Sequence, residues 1–168
     1  KNNIQKFIIE CENGIKLMQD TLNVAVRSIS SEINTVNQEY SPVYINDLET
    51  LIYTSRRENS IGGLKKFADN DFFEDIFISS LQLKNETDSN LVLSGFNSRT
   101  NDATAGISGD GKTLFFFKDV NGGDIYFANI LEDKTITKPS IYSHTINSIH
   151  FESCASTTSD NSTIYFIS

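Results

Sequence analysis

Several residue types that hold small folds together or anchor them in membranes are scarce in this chain of 168 residues. It has no Trp, one Met, two Pro and two Cys, and Cys11 and Cys154 stand far apart in unrelated contexts. Two cysteines placed in this way do not make a disulfide framework, and neither has neighbours that suggest a metal site. No apolar run approaches the roughly 20 residues of a membrane-spanning helix, so we expect no membrane span.

Positive charge is also scarce. The 14 Lys and Arg stand against 22 Asp and Glu, which gives a formal net charge of −8. A protein that binds nucleic acid needs a basic surface to neutralise phosphates. The composition therefore argues against nucleic acid as a partner.

The residues that could take part in catalysis are not surrounded by any of the usual catalytic motifs. His144 and His150 have no Ser or Cys nucleophile motif around them, and Ser108 belongs to a Gly-Asp-Gly turn rather than to a nucleophile elbow. The pair Gly122-Gly123 lacks the Lys of a phosphate-binding loop. The sequence predicts a protein that is not an enzyme, with no catalytic, cofactor-binding or metal-binding residues.

What the chain does contain is a motif that recurs three times. It consists of an Asn, an acid five residues on, an Asp eight further on and a Thr three further on: Asn34, Glu39, Asp47, Thr50; Asn97, Asp102, Asp110, Thr113; and Asn147, Glu152, Asp160, Thr163. Spacing that is kept over three copies predicts a repeat fold. The acids at the second position could form a ring of carboxylates for a cation or a basic partner, but recurrence itself favours an architectural role.

The local patterns change from helical to β near residue 21. Residues 4–19 have apolar positions three and four apart, which predicts one short helix, or the tail of a helical hairpin, with a weak point at Gly14. After residue 21, short runs rich in Val, Ile, Phe and Tyr are separated by Gly, Asn, Asp and Ser, which is typical of strands and turns. The alternating segment 23–27 is part of this β region.

Each repeat unit is predicted to contain about four antiparallel strands. Hairpins join 43–45 to 51–54 and 107–108 to 113–117, the second of them through the turn at Asp110-Gly111. Third strands begin at Asp75 and Asp124, and fourth strands are indicated at 91–93 and 135–137. Units of this size predict a mainly β fold built from β-propeller blades, the third of which stops after its second strand. The rest of the ring is then either cut away or supplied by another chain, and the open sheet edge invites pairing.

These segments resemble a known repeat. Residues 37–57, 107–117, 121–130 and 152–168 resemble the WD-like β-propeller repeat of TolB-type and OmpA-family envelope proteins, in which a Ser-Pro-Asp-Gly-Lys-Thr-like turn leads into a strand rich in Leu, Tyr and Phe. Residues 62–79 are similar to the long first-blade loop of Bacteroidetes proteins of this type, and residues 8–19 resemble the helix that ends their tetratricopeptide region. The chain departs from the pattern at Ile136, where the family has Trp, and in the turns at Asp47 and Asp160, which lack Gly.

The resemblance implies an N-terminal helix at 1–20, which ends a helical-repeat region, and a partial propeller of about two and a half blades at 21–168. It implies a non-catalytic scaffold that binds other envelope proteins in the periplasm or at the outer membrane, as part of a secretion or gliding machinery linked to peptidoglycan. The peptidoglycan-binding domain of such proteins is absent from this sequence. The alternative is the gating propeller of a prolyl-oligopeptidase-like peptidase, which a downstream hydrolase domain would establish.

A lengthened loop in the first unit is the candidate partner-binding site. Asp47 and Asp75 are 28 residues apart, whereas the equivalent Asp110 and Asp124 are 14 apart. Long loops on rigid scaffolds often carry binding residues. The predicted contact residues are its basic and aromatic side chains: Arg56, Arg57, Lys65, Lys66, Phe67, Phe72 and Phe73. Basic residues in an acidic chain favour an acidic partner surface; alternatively, the loop folds over its blade with the Phe residues packed down.

Overall fold

The computed structural model describes residues 2–20, 22–63, 65, 70–81, 91–92 and 95–168. Within these ranges one α-helix, α1 (Asn2–Leu17), precedes ten strands in three antiparallel sheets. Blade 1 contains β1 (Glu39–Ile45), β2 (Thr50–Ser55), β3 (Asp75–Ser80) and β4 (Leu91–Val92) in chain order. Blade 2 contains β5 (Asp102–Ile107), β6 (Thr113–Lys118), β7 (Asp124–Asn129) and β8 (Ser140–Ile141), and blade 3 contains β9 (Ser153–Thr157) and β10 (Ile164–Ile167). The predicted fold class, a partial β-propeller after a short helix, is confirmed.

The helix α1 continues through Gly14 without a break. Its apolar side chains are exposed, including Ile4, Phe7, Ile8 and Ile15. Among the described residues, no helix has the length and apolar character that crossing a bilayer would require.

The two hairpins that the sequence predicted are present, and each turn contains one residue in the left-handed region. A short 3-10 helix at Asn46–Leu48 joins β1 to β2, and Glu49 ends it with a φ of 46°. The β5–β6 turn contains Gly111 at a φ of 73°, a conformation that costs glycine little because it has no Cβ. Local turn chemistry therefore suffices to specify both hairpins.

The blades pack face to face, because alternate residues of each second strand point to opposite sides. Between blades 1 and 2, Ile52 and Ile76 pack against Leu114 and Phe116, and the ring of Phe96 lies 5.0 Å from the ring of Phe116. Burying each such side chain contributes about 1.5–3 kcal/mol. This layer is the larger of the two interblade cores.

The core between blades 2 and 3 lies on the opposite face of blade 2. Phe115 and Ile125 of blade 2 pack against Ala155 of blade 3. The backbones approach most closely at Gly106, where an added Cβ would lie 2.1 Å from the carbonyl oxygen of Ala155. Glycine is required at this position because any side chain would push the two blades apart.

Two strand predictions were wrong. The outer strand of blade 2 is β8 at Ser140–Ile141, whereas 135–137 folds back onto the end of β7 through a bridge between Ile130 and Ile136. Residues 23–27 form no strand, and Val24 and Val26 are exposed. In both cases alternation indicated β character, but a strand also needs a neighbouring backbone to pair with. Leu93, the last residue of the predicted fourth strand of blade 1, lies outside the described residues.

Candidate functional site

The ends of the strands form two opposite faces. The β1–β2, β5–β6 and β9–β10 turns lie on one of them, which we call the turn face. On the other, the strand ends place polar residues side by side, three each in blades 1 and 2 and two in blade 3: Glu39, Ser55 and Asp75; Asp102, Lys118 and Asp124; and Glu152 and Ser168. We call these eight residues the acid rim. The long loop from residue 56 to residue 74 joins β2 to β3 on this face.

The first-strand acid of each blade closes a turn just before its strand. It accepts a hydrogen bond from a hydroxyl group four residues earlier: Thr35 to Glu39 at 2.6 Å, Ser98 to Asp102 at 2.6 Å and Ser148 to Glu152 at 2.5 Å. Hydrogen bonds from Ser148 hold the pKa of Glu152 below its usual range. The hydroxyl residue directly follows the motif Asn in all three copies, a regularity that our sequence analysis missed. The acids are therefore used by the fold itself.

The motif Asn fastens one blade to the next. Asn97 accepts from the backbone N–H of Ile76 at 2.7 Å and donates to its carbonyl oxygen at 2.9 Å. Asn147 makes the same two bonds to Ile125, both at 2.9 Å. In the first copy, Asn34 instead accepts from a backbone N–H five residues earlier, at 2.9 Å. The amide of each later copy thus clamps the third strand of the blade before it.

A lysine lies within the acid rim of blade 2. The Lys118 Nζ is 2.6 Å from Asp102 Oδ1 and also donates to the carbonyl oxygen of Phe96. Asp102 is fully buried, so this ion pair compensates a carboxylate that water cannot reach. Serines occupy the equivalent positions of blades 1 and 3.

Two third-strand carboxylates of the rim are incompletely hydrogen bonded. Asp75 Oδ2 accepts from the Ile61 N–H at 2.5 Å, but Asp75 Oδ1 and Asp124 Oδ1 are buried with no hydrogen-bond partner among the described residues. Burial raises the pKa of Asp75 to about 6, and the Asp102 charge adds to this rise, while the Ile61 N–H and Lys118 oppose it. The fold therefore disfavours the charged form of the Asp75 carboxyl group. From the sequence, Asp75 was expected only to begin a strand.

The two arginines of the predicted binding loop are buried and paired within the fold. The Arg57 guanidinium donates to the carbonyl oxygens of Glu32 at 2.9 Å and Ile33 at 2.8 Å, and its centre lies 4.9 Å from the Phe77 ring. It also forms an ion pair with Glu39 at 3.2 Å. Arg57 therefore attaches the segment before β1 to the outer face of blade 1.

Arg56 holds the loop itself. Its Nε donates to the Phe72 carbonyl oxygen at 2.9 Å and lies 3.5 Å from an Asp71 carboxylate oxygen. The Ser60 hydroxyl donates to the carbonyl oxygen of Phe73 at 3.0 Å. These contacts fold the two sides of the loop together close to the acid rim.

The remaining predicted contact residues differ in exposure. Lys65 is exposed and its Nζ lies 5.1 Å from the centre of the Phe72 ring, while Phe72 and Phe73 are half-buried. Lys66 and Phe67 lie outside the described residues. Neither arginine contributes to the exposed surface of the loop. The exposed loop residues that the structure describes are Glu58, Asn59, Ile61, Gly63, Lys65 and Asn70, and Ile61 is 44% exposed.

The turn face uses its aspartates in turns, as their spacing predicts. Asp110 accepts from the Ser108 hydroxyl at 2.6 Å and the Lys112 N–H at 3.1 Å, and these bonds lower its pKa. The Asp160 carboxylate accepts from the Thr158 hydroxyl in the same way, and its pKa falls to about 2. An open cleft of about 740 Å³ lies between the turns of blades 1 and 2. Across the described part of the chain, no group of three or more His, Cys, Asp or Glu side chains is arranged to hold a metal ion.

Comparison with known proteins gives one structural similarity to report. The crystal structure of TolB from Acinetobacter baumannii is similar at 12% sequence identity and a TM-score of 0.45, over 76% of this chain and 26% of that chain. This chain therefore spans about a quarter of the length of that protein. No protein-family model matches the chain, and no curated protein matches it.

Proposed function

We propose that this chain is a non-catalytic β-propeller scaffold that binds another protein through the face that carries the acid rim and the long loop. The observation that carries the proposal is the anchoring of this loop. Arg56, Arg57 and Asp75 are all buried and bonded to the loop or the segment beside it. A long loop that is fixed at its base presents a preformed surface, which lowers the entropic cost of binding.

The chemistry of this surface favours an acidic partner. Lys65 and Arg99 are both exposed, and Gly62 of the loop approaches the Arg99 backbone, so that an added Cβ would lie 3.2 Å from its carbonyl oxygen. The exposed side chain of Ile61 belongs to the same loop. Basic groups around an apolar contact complement an acidic, partly apolar patch, and in a chain of net charge −8 they would orient the encounter.

The proposed partner is another protein of the cell envelope. This places the chain in the periplasm or at the outer membrane, where it serves a secretion or gliding machinery linked to peptidoglycan by a separate domain. Residues 1–20 would end a helical-repeat region, and residues 21–168 would form the propeller part. The support for this location is the resemblance of the repeats to those of envelope proteins.

Site-specific photocrosslinking in the native cells tests the proposal. The full gene product would carry p-benzoylphenylalanine in place of Ile61, or in place of Lys112 on the turn face as the matched control. We expect a discrete protein adduct from position 61 and none from position 112, in the periplasmic or outer-membrane fraction. Adducts from position 112 alone would refute the binding face, and a cytoplasmic product would refute the location.

Charge reversal then tests the partner chemistry. The double change Lys65→Glu and Arg99→Glu should reduce the yield of the position-61 adduct about tenfold, because like charges across an interface repel. The matched control is Lys112→Glu with Lys134→Glu, which makes the same change in charge on the turn face. An equal loss of adduct from both double variants would show that binding depends on the net charge of the chain and not on the position of these residues.

A further inference from the structure

A pocket of about 340 Å³ lies on the acid-rim face, near the points where the first strands of the three blades begin. Its walls come from all three blades and include Glu74, the last residue of the long loop. Two of its lining side chains are carboxylates, those of Glu74 and Asp119, and two are aromatic rings, those of Phe117 and Phe151. None of the described residues that line it is a Lys or an Arg. Aromatic rings beside carboxylates attract a cation.

The aromatic side of the pocket is held by the packing of blade 3 on blade 2. The rings of Phe117 and Phe151 lie 5.3 Å apart, with an angle of 46° between their planes. The N–H of Glu152, the next residue, donates to the Gly123 carbonyl oxygen at 2.9 Å. An added Cβ on Gly123 would lie 2.6 Å from the Phe117 ring and 2.9 Å from the Phe151 ring. Phe151 is nevertheless 54% exposed, so a ring that the fold fixes in place is accessible to a ligand.

The carboxylate side of the pocket is organised by one amide. Asn101 Nδ2 donates to Asp119 Oδ2 at 3.3 Å, and Asn101 Oδ1 accepts from the Glu74 N–H at 3.3 Å. The Tyr40 hydroxyl donates to the Glu74 carboxylate. A carboxylate accepts up to about four hydrogen bonds, so these contacts position both groups and leave acceptor capacity for a further donor.

We propose that this pocket binds the side chain of an arginine of the protein partner, an inference that rests on the proposed function. A planar guanidinium stacks on an aromatic ring and its fork of N–H donors bonds two carboxylates at once, whereas the ammonium of lysine is a point charge. The partner would set its acidic patch opposite Lys65 and its arginine in the pocket beside Glu74. Such a mixed surface fixes the orientation of docking, because the reversed arrangement sets like charges against each other.

Alkylation of Cys154 reports whether the pocket is occupied, because this exposed thiol lines it. Cys11, exposed on α1, is the internal control. The probe is the peptide acetyl-Gly-Ala-Arg-Ala-Gly-amide, and the measurement is the rate at which iodoacetamide modifies each cysteine, followed by mass spectrometry of the digested chain. At about 10 mM peptide, above the roughly millimolar dissociation constant expected for one side chain, Cys154 should react at least about fivefold more slowly and Cys11 at an unchanged rate.

A second peptide with citrulline in place of arginine keeps the shape of the side chain and removes its charge, so it should not protect Cys154. Equal slowing of both cysteines, equal protection by the citrulline peptide, or no protection would overturn the proposal. This assay uses the unchanged chain and does not depend on the folding of any variant.

Substitutions in the full gene product test whether the natural partner uses the pocket. Phe151→Leu keeps an apolar side chain without a ring, and Glu74→Gln keeps an acceptor for the Tyr40 hydroxyl without a charge. Each should lower the yield of the position-61 photocrosslink about fivefold, whereas Glu132→Gln, the same change at an exposed acid of the turn face, should not. A normal yield from both pocket variants would leave the proposed binding face standing and refute the arginine pocket. If the unchanged chain gives no position-61 adduct, the proposed function fails, and the Cys154 assay decides by itself whether the pocket binds arginine.

Discussion

Replacing Asp75 with Asn should remove a loss of stability that the unchanged chain undergoes as the pH rises from about 4 to about 6. The carboxyl group is fully buried, has one hydrogen bond from the Ile61 N–H, and faces the charges of Asp102 and Lys118. Its pKa rises to about 6 from the ordinary value of 3.8. The folded chain therefore keeps a proton that the unfolded chain has already lost.

The sign and size follow from proton linkage. Below the unfolded pKa both states are protonated, and the full stability is present. As the pH rises toward the folded pKa, only the unfolded state is ionised, so the free energy of unfolding falls, and above it the loss is complete. The pKa difference is about 2, and each pKa unit corresponds to about 1.4 kcal/mol, so the loss is about 3 kcal/mol.

The measurement is urea unfolding at several pH values from 4 to 7, followed by far-UV circular dichroism and tyrosine fluorescence, since the chain has six Tyr and no Trp. Groups with lowered pKa values, such as Asp110, Glu152 and Asp160, stabilise the fold above their unfolded pKa and lose that effect as the pH falls. Their contribution is common to both proteins and cancels in the difference curve. Asp119→Asn, the same change at an exposed site, is the control. Parallel curves for the unchanged chain and Asp75→Asn would refute the assigned burial cost.

Three further substitutions test the packing and the helix. Gly106→Ala should destabilise the chain by about 3 kcal/mol or more, because its Cβ would meet the Ala155 carbonyl oxygen and the backbone φ disfavours a side chain. A loss below about 1 kcal/mol in urea unfolding would contradict this contact. Lys118→Met should cost about 3–5 kcal/mol by leaving the buried Asp102 carboxylate without its ion-pair partner, and a loss below about 1 kcal/mol in urea unfolding would contradict this role. Gly14→Ala should stabilise α1 by about 1 kcal/mol and deepen the circular dichroism at 222 nm, whereas an unchanged spectrum would mean that α1 does not form in solution.

The sequence predicted the fold where the decisive interactions are local. The Asp110-Gly111 turn and the short apolar run of β6 specify a hairpin without any information from other blades. The outer strand of blade 2 was misplaced because β8 has only two paired residues and is partly exposed, so it carries little pattern. The extended segment around Val24 has the right pattern, but no strand partner is found for it in the described part of the chain.

The candidate site was predicted less completely, because a side chain's surroundings come from distant parts of the chain. The length of the loop between Asp47 and Asp75 was evident from spacing. The burial of Arg57 was not, since its partners are the carbonyl groups of Glu32 and Ile33, 25 and 24 residues earlier. A basic residue in a long loop is usually solvated, so its sequence context pointed to the surface.

The sequence alone determined the repeat, its hairpin turns, the starts of its third strands and the place of each recurring acid, because backbone periodicity and turn chemistry act over a few residues. Only the tertiary structure decided which acids are buried or paired and that the loop arginines serve the fold. It also decided that Tyr165 is exposed where Phe115 is buried, because burial and charge compensation depend on which neighbouring blade or strand is present.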